Sequence, residues 1–305
     1  MQQQEYERVQ LISEYGEILA ENLVRTDGSD EIVFNVRNKK NAERFRRHSE
    51  QAEGLKLFNE SNGGFVFMYY NNLLFKKLNI DLANISRTIY LATFIDYDSN
   101  ILVSGNGAFS GIKKKPMTKR DIKKILKLSD STFKRFYKEI LENGVIEETE
   151  EGIKINDKYF VKGNKVNKSI EYTRVYIDTV RNLFLNCKTS QHKTLAYAFK
   201  LIPKLDFNTN IIVDDPAKVE PKRLNLTEVG EYLEISTEKK NLNKFKNKLY
   251  QLFIEIDNKK YYVFKRVIIE GKEGRKDYFV VNPRVIYSGN DYDKVMATTN
   301  KLFFE

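Results

Sequence analysis

The sequence predicts an α+β protein in which one unit of helix, turn, helix and hairpin occurs twice behind a small N-terminal β-segment. Residues 117–156 contain a short amphipathic helix, a turn with the sequence Leu-Lys-Leu-Ser, a second amphipathic helix and a strand that ends at Asn156. Residues 224–282 repeat this order, with the turn Leu-Glu-Ile-Ser and a last strand that ends at Asn282. Each asparagine lies seven residues before a Gly-Asn pair. This is the element order of a winged helix-turn-helix, so the sequence predicts two such domains in tandem.

The N-terminal segment, residues 1–62, is predicted to be a β-meander followed by a basic linker. Apolar and polar residues alternate through residues 9–37, and turn signals at residues 14–17 and 27–30 divide them into strands. Residues 38–53 are polar and basic, which fits either a short surface helix or a linker.

The first winged-helix domain is assigned to residues 63–168. Helical spacing predicts two helices at its start, one with Phe67, Tyr70, Leu74 and Leu78 and the next with Ile85, Ile89, Ala92 and Ile95. A strand at residues 101–103 and a glycine-rich loop at residues 105–111 connect these helices to a basic helix-turn-helix.

The second winged-helix domain is assigned to residues 169–290 and repeats this layout. It opens on Val175, continues through helices that contain Leu183 and Leu195, and has a strand at residues 211–213 that matches residues 101–103. The tail, residues 291–305, is predicted to be a short helix or strand with three residues tucked against a domain: Leu302, Phe303 and Phe304.

Composition favours a polyanionic partner and an intracellular, cytoplasmic protein that is soluble and binds no membrane. The chain has 305 residues, a formal net charge of +10 and a pI near 9.3, and such a charge favours nucleic acid. Its single cysteine, Cys187, excludes an internal disulfide and is predicted to be a buried small residue. The N-terminus lacks a secretory signal pattern, and no stretch is long and apolar enough to span a membrane.

The second helix of the first helix-turn-helix has the residue types that read DNA. Ser129 or Asp130 can cap it, and five residues are predicted to face the core: Phe133, Phe136, Tyr137, Ile140 and Leu141. Between Lys113 and Lys138 the chain has eleven Lys or Arg and two Asp. The predicted DNA contacts are Lys113, Lys114, Lys115, Lys119, Arg120, Ser131, Thr132, Lys134, Arg135 and Lys138.

The second helix-turn-helix is predicted to use its helix and a basic hairpin. Leu242, Phe245, Leu249 and Leu252 should face inward, and the hairpin is predicted to run from Lys259 and to turn at residues 271–276. The predicted DNA contacts are Thr237, Lys239, Lys240, Asn243, Lys244, Asn247, Lys265, Arg266, Arg275 and Lys276.

The hairpin of the first domain has the opposite charge. Residues 142–151 contain five acidic residues and no basic one. Phosphate would repel such a wing, so we expect it to stay out of the minor groove and to contact the other domain or a basic protein surface.

No catalytic, metal or cofactor site is predicted. The glycine-rich loop lacks the Lys and the Ser or Thr that a phosphate-binding loop requires. The only two histidines, His48 and His192, are far apart in sequence and are predicted to be surface residues. No nucleophile, base and stabiliser can be assembled, so the protein is not expected to be an enzyme.

Much of the first half resembles a known family. Residues 11–18, 64–70, 87–91, 118–146 and 153–156 are similar in order and sequence to replication initiator proteins of small plasmids and phages of Gram-positive bacteria. The resemblance covers about residues 8–165 and implies a short β-segment, a helical pair and a winged helix. The second copy departs from that pattern and is similar in layout to the plasmid initiators that have two winged helices.

These observations predict a sequence-specific protein that binds double-stranded DNA, most simply an initiator that binds origin repeats and recruits host helicase or primase. A transcription regulator that acts with RNA polymerase would use the same DNA-reading parts, and a winged-helix adaptor that binds proteins is a third alternative. The sequence leaves open whether the protein is a monomer or a homodimer.

Overall fold

The structure is a computed structural model that divides the chain into two compact units, Met1–Leu57 and Phe58–Glu305. It describes residues 6–12, 18–25, 32–36, 39–69, 79–104, 114–163, 166–167, 172–256, 258–271, 274–287, 289 and 291–303.

The first unit contains a small antiparallel sheet. Its strands are β1 (Tyr6–Ile12), β2 (Ile18–Arg25) and β3 (Ile32–Val36), paired in the order β1-β2-β3. They lie where the alternating pattern predicts a meander, and the two predicted turns fall outside the described residues. Helix α1 (Lys39–Ser61) then occupies the segment predicted as a helix or a linker.

The second unit begins with the elements of the first repeat. They are β4 (Phe65–Tyr69), α2 (Leu82–Ala92), β5 (Val103–Ser104), β6 (Lys115–Pro116), α3 (Lys119–Leu126), α4 (Asp130–Glu142), β7 (Ile146–Thr149), β8 (Gly152–Ile155) and β9 (Phe160–Val161). The helix predicted around Phe67 is wrong, because this segment is the strand β4. Its sequence Phe-Val-Phe-Met-Tyr satisfies both patterns, and pairing with a second strand decides the outcome. Of the other residues predicted for this helix, Tyr70, Leu74 and Leu78 lie outside the described residues.

The elements of the second repeat follow in the same unit. They are β10 (Tyr172–Tyr176), α5 (Ile177–Asn186), α6 (His192–Lys200), α7 (Leu226–Tyr232), α8 (Lys239–Leu249), β11 (Phe253–Ile256), β12 (Lys259–Tyr262), β13 (Phe264–Gly271), β14 (Gly274–Val281), β15 (Ile286–Tyr287) and α9 (Tyr292–Phe303). The mixture of helices and small antiparallel sheets agrees with the predicted α+β class.

A four-stranded sheet joins the two repeats. Its order is β15-β10-β4-β9, and the central strands β10 and β4 are antiparallel, with Arg174 opposite Phe67. Helix α2 packs on its counterpart α6, and one apolar core contains buried residues from both repeats, such as Ile89 and Leu195. The repeats are therefore related by an approximate two-fold rotation, whose axis passes between β4 and β10.

Two buried asparagines occupy equivalent places in the repeats. The side-chain amide of Asn100 donates to the carbonyl oxygens of Ile155 and Phe160, at 3.4 and 2.6 Å. The amide of Asn210 donates to those of Val281 and Ile286, at 3.2 and 2.6 Å. Each amide thus ties the last strand of a hairpin to the segment that follows it.

A second asparagine pair identifies the equivalent hairpins. The backbone N–H of Asn156 donates to the carbonyl of Val145 at 2.9 Å, and that of Asn282 donates to Val263 at 2.8 Å. The hairpin β13–β14 therefore corresponds to β7–β8, and β11–β12 is an insertion of the second repeat. The prediction of one hairpin that begins at Lys259 is wrong, since Lys259 belongs to β12, which pairs with β11.

The helix interiors follow the predicted spacing with one exception. Leu242, Phe245, Leu249 and Leu252 are buried, as are Phe133, Phe136, Tyr137 and Ile140. Leu141 was predicted to be inward and is 38% exposed, because it lies about 100° around the helix from Ile140. In the tail, Phe303 packs on Tyr278 and Val280, Leu302 is partly buried against the same residues, and Phe304 lies outside the described residues.

His192 is buried, which corrects the prediction of a surface histidine. Its ring is 3% exposed and stacks on Phe184 with ring centroids 4.4 Å apart. Burial, together with the nearby positive charge of Arg87, lowers the pKa of His192 to about 4. The side chain of His48 lies outside the described residues.

Acidification should destabilise the protein through His192. The unfolded chain protonates this ring near its ordinary pKa of 6.5, and the folded chain only near a pKa of about 4. The contribution of the neutral His192 ring to the free energy of unfolding is thus fully present above pH 6.5 and is lost as the pH falls toward 4. Urea unfolding at a series of pH values should show a flatter profile in this window for His192→Phe than for His48→Gln or the unaltered protein. Equal slopes for all three would contradict the assignment.

The single cysteine, Cys187, is half-buried, whereas the sequence predicts a buried residue. It packs on the edge of the core, and burial raises the pKa of the Cys187 thiol to about 11. None of the helices in the described part of the chain combines the length and apolar character that a membrane-spanning helix needs.

Candidate nucleic-acid interface

Helix α3 is fixed at both ends by local backbone chemistry. At its start, Thr118 Oγ1 accepts from the Asp121 N–H at 3.3 Å, and the Asp121 carboxylate accepts from the Thr118 N–H at 2.9 Å. The two bonds satisfy two backbone donors that a helix leaves unpaired. The Thr118 hydroxyl also donates to the Asp121 carboxylate at 2.7 Å, and this bond, followed by the one from the Thr118 N–H, lowers the pKa of Asp121. The helix ends at Lys127, whose φ of 52° is left-handed, so the chain turns sharply toward α4.

Helix α4 starts at a serine cap and presents a polar face. Ser129 Oγ accepts from the Thr132 N–H at 3.4 Å and donates to Thr132 Oγ1 at 2.9 Å. Thr132 is therefore half-buried and engaged in the cap, although the sequence predicted it to contact DNA. The other predicted contacts of this helix are exposed: Ser131, Lys134, Arg135 and Lys138.

Three of the predicted DNA-binding lysines in the first repeat are paired with carboxylates, and so is Lys123, which is not among the predicted contacts. Lys114 contacts Asp96 at 2.6 Å, Lys119 contacts Glu148 at 2.7 Å and Lys138 contacts Glu142 at 3.7 Å; Lys114, Lys119 and Lys138 are exposed and Lys123, which contacts Asp130, is partly so. Solvent screens exposed pairs of this kind, so they contribute little to the stability of the fold. They reduce the charge offered to a ligand without strongly fixing these side chains.

The acidic hairpin is held by its own helices. Glu148 on β7 accepts from the Tyr137 hydroxyl at 2.9 Å, and the ammonium of Lys119 lies 4.9 Å from the centre of the Tyr137 ring. Hydrogen bonds from Lys119 and then Tyr137 lower the pKa of Glu148, while burial followed by the bond to Glu148 raises the pKa of Tyr137. The described contacts of Glu148 are thus with α3 and α4 of its own repeat, and not with the other domain, which is one of the two contacts predicted for this hairpin.

Five further cations of this surface form no ion pair with a described carboxylate. Among the described residues, no carboxylate lies within ion-pairing distance of Lys115, Arg120, Lys124, Lys134 or Arg135, and all five are exposed. Lys113 lies outside the described residues. We define Arg120, Lys124, Lys134 and Arg135 as the open cations; they lie on α3 and α4.

The second helix pair is built on a close contact. Asn225 caps α7 by accepting from the Thr227 and Glu228 N–H groups at 2.9 and 3.1 Å. A Cβ on Gly230 would lie 2.6 Å from Leu242 Cδ2, so glycine allows α7 and α8 to approach. All predicted contacts of this pair are exposed: Thr237, Lys239, Lys240, Asn243, Lys244 and Asn247.

The hairpin β13–β14 is long and basic. Each strand has eight residues, against four in β7 and β8. Lys265 is exposed, and Arg266 is exposed but paired with Asp277. Arg275 and Lys276 are paired in β14, opposite Glu270 and Ile269, and their side chains lie outside the described set.

The chemistry that these surfaces offer is hydrogen-bond donation and positive charge. Ammonium, guanidinium and hydroxyl groups on α3, α4 and α8 suit phosphate oxygens and the acceptors of base edges. Within the described ranges, no group of three or more His, Cys, Asp or Glu side chains is placed to hold a metal ion.

Sequence reasoning missed the features that depend on contacts between distant residues. We call the side-chain hydrogen bonds of Asn100 and Asn210, which tie each hairpin to the strand after it, the asparagine clasps. These clasps join segments that are far apart in the sequence, as do the insertion β11–β12 and the ion pair between Lys119 and Glu148. The repeated Ile-x-Ile-Asn and Val-Val-Asn endings were the available signal for the clasped strands.

Comparison with known proteins adds no family. No family model, curated protein or solved structure matches this chain.

Proposed function

We propose that this chain is a sequence-specific double-stranded DNA-binding protein with two tandem winged helix-turn-helix domains. The observation that carries the proposal is the set of open cations on α3 and α4, which are exposed and without carboxylate partners among the described residues. The second repeat has an equivalent lysine-rich helix, α8. Helices with short polar residues and cations at their exposed positions are suited to the major groove and to the phosphates that flank it.

The approximate two-fold relation specifies how the two helices would meet DNA. Helices α4 and α8 are related as the reading helices of a dimer are, so a single chain can address two half-sites. Two-fold related reading helices favour half-sites of opposite orientation, separated by about one helical turn. The half-sites would differ in sequence, because α4 carries Arg135 where α8 has mainly Lys and Asn.

The two hairpins would have different tasks. The acidic β7–β8 stays away from phosphate, whereas the longer β13–β14, with Lys265 exposed, contacts the backbone or minor groove. The biological setting that best fits these parts and the family resemblance is replication initiation on a plasmid or phage. The protein would bind origin repeats, distort AT-rich DNA that deforms easily, and recruit host helicase or primase.

Selection of bound sequences from a random duplex library tests this proposal. We expect two unlike half-sites in inverted orientation with one fixed spacing. A match of the selected sequence to an origin would support initiation, and a match to a promoter would favour a transcription regulator that acts with RNA polymerase. Binding no tighter than that of a neutral control protein would overturn DNA binding and leave the adaptor alternative.

Arg135→Ala is expected to weaken specific binding by roughly 1–3 kcal/mol and to relax the preference for one base, since a guanidinium can donate twice to a guanine edge. The matched control is Lys138→Ala on the same helix, whose ammonium pairs with Glu142. That variant should change affinity less and leave the base preference intact. An unaltered selected sequence for Arg135→Ala would remove this residue from the reading surface.

A further inference from the structure

The inserted hairpin β11–β12 is a firmly anchored addition to the second repeat. Asn182 on α5 donates to the Glu255 carbonyl at 2.9 Å and accepts from the Glu255 N–H at 2.8 Å. Ile254 on the inner face of the hairpin is fully buried in the core. The equivalent position in the first repeat passes directly from α4 to β7, so the hairpin creates a surface that the first repeat lacks.

The outer face of this hairpin combines aromatic rings with an ammonium group. Phe253 lies directly opposite Tyr262 in the strand pair, and Lys260 is two residues from Tyr262 on the same face. The ammonium of Lys260 lies 4.7 Å from the centre of the Phe253 ring. Tyr262 is 51% exposed, which leaves much of this side chain accessible for stacking.

This face forms one wall of a cavity of about 420 Å³. The opposite wall is the connection between α5 and α6, which contributes Asn186, Cys187, Lys188 and Gln191. The residues described as lining the cavity include two lysines, three side-chain amides and three aromatic rings, and no carboxylate. Glu255 lies on the same hairpin face but outside this lining.

We propose that this cavity binds a nucleoside phosphate, with the base stacked on Tyr262 and the phosphate between Lys188 and Lys260. Aromatic faces beside lysines are the usual means of holding unpaired nucleotides. Asn186 Nδ2 donates to Asn182 Oδ1 and Gln191 Oε1 accepts from the Lys188 N–H, which leaves the Asn186 carbonyl oxygen and the Gln191 amino group to pair with a base edge. A free nucleotide and a nucleotide within a single strand share this chemistry. An acidic peptide would use the lysines but would leave the exposed ring of Tyr262 without a partner. The site adjoins the C-terminal end of α8 through Tyr250 and Gln251, but it shares no residue with the predicted duplex contacts.

The single cysteine of the chain provides a local reporter for the test. Cys187 lines the cavity, and its alkylation can be followed by mass spectrometry at mildly alkaline pH, which compensates for the raised pKa of the thiol. The probes are a thymidine oligonucleotide, thymidine monophosphate and a polyglutamate peptide. In parallel, fluorescence anisotropy measures the affinity of the labelled oligonucleotide for the whole protein.

Loss of the stacking ring should be specific. Tyr262→Ala is expected to weaken binding of the protecting nucleotide about 5- to 100-fold, the range for losing one base stack. Lys260→Ala should lower the slope of log affinity against log salt concentration by about 0.7 for the oligonucleotide, the amount for one phosphate contact on a single strand. The matched control is Tyr97→Ala, which removes a tyrosine of equal exposure, 52%, in the first repeat. It should leave protection unchanged.

The outcomes separate the two sources and the two proposals. Protection by the oligonucleotide alone supports a single-strand site, and protection by the monophosphate supports a free-nucleotide site. Protection by polyglutamate alone, or nucleotide binding that Tyr262→Ala does not weaken, would overturn the proposal. Duplex binding is measured on the same variants and should be unaffected by Tyr262→Ala. A failure of the nucleotide site would therefore leave the proposed duplex binding intact. A failure of duplex binding would likewise leave the nucleotide site intact.

Discussion

Replacing Lys124, Lys134 and Arg135 together by glutamine is expected to weaken binding to duplex DNA roughly 100-fold at moderate salt. These side chains are exposed, and among the described residues they have no carboxylate partner, so each can displace a counterion from DNA without first breaking an ion pair. The slope of log affinity against log salt concentration should fall by about 1.8, since each of the two lysines loses one phosphate contact worth about 0.9, whereas Arg135 is proposed to read a base edge. Titrations at four or five salt concentrations measure both quantities.

The control for this experiment removes equal charge elsewhere. Lys158, Lys193 and Lys200 lie outside both helix-turn-helix segments, and their replacement by glutamine lowers the net charge by the same amount. Non-specific attraction would respond alike to both triple variants. We expect the control variant to retain the salt slope of the unaltered protein. Equal losses in the two variants would mean that affinity follows net charge and that α3 and α4 form no defined interface.

The sequence predicted the helix interiors well because amphipathic spacing is a local property. The apolar stripe of α4, from Phe133 to Ile140, and that of α8 fix which side chains are inward, and the outward ones follow by exclusion. The prediction failed at Leu141, which is apolar but lies outside the buried stripe of α4 and is exposed. It failed at β4 because a run of five apolar residues fits a strand and a helix equally.

The charge of the candidate interface could not be obtained from composition. Eleven basic residues occur between Lys113 and Lys138, but Lys119 is paired with Glu148, which lies on a strand twenty-nine positions later. His192 shows the same limitation. A helix start usually lies at the surface, and only the stacking on Phe184 and the packing of α6 on α2 bury this ring.

The largest loss of stability from a single substitution outside the apolar core is expected at the asparagine clasps. Asn100 and Asn210 are 3% and 1% exposed, and each amide donates to two carbonyl oxygens. Both residues also have left-handed backbone, with φ of 57° and 54°, which asparagine tolerates better than alanine. Replacing either by Ala leaves two carbonyls poorly satisfied in the interior and should lower the free energy of unfolding by about 2–5 kcal/mol.

Two further variants separate the hydrogen bonds from the backbone conformation. Asn258 has the same left-handed backbone, with φ of 61°, but is exposed, so Asn258→Ala should cost only about 1 kcal/mol. Asn100→Gly removes the amide and keeps an unstrained backbone, and it should be nearly as destabilised as Asn100→Ala in urea unfolding. Near-complete stability of the glycine variant would assign the effect to backbone strain. Asn100 ties the hairpin β7–β8 to the edge strand β9, and Asn210 ties β13–β14 to the edge strand β15. Loss of these hydrogen bonds should therefore also loosen the hairpin, which faster amide hydrogen exchange in β7–β8 for the Asn100 variants and in β13–β14 for the Asn210 variant would reveal.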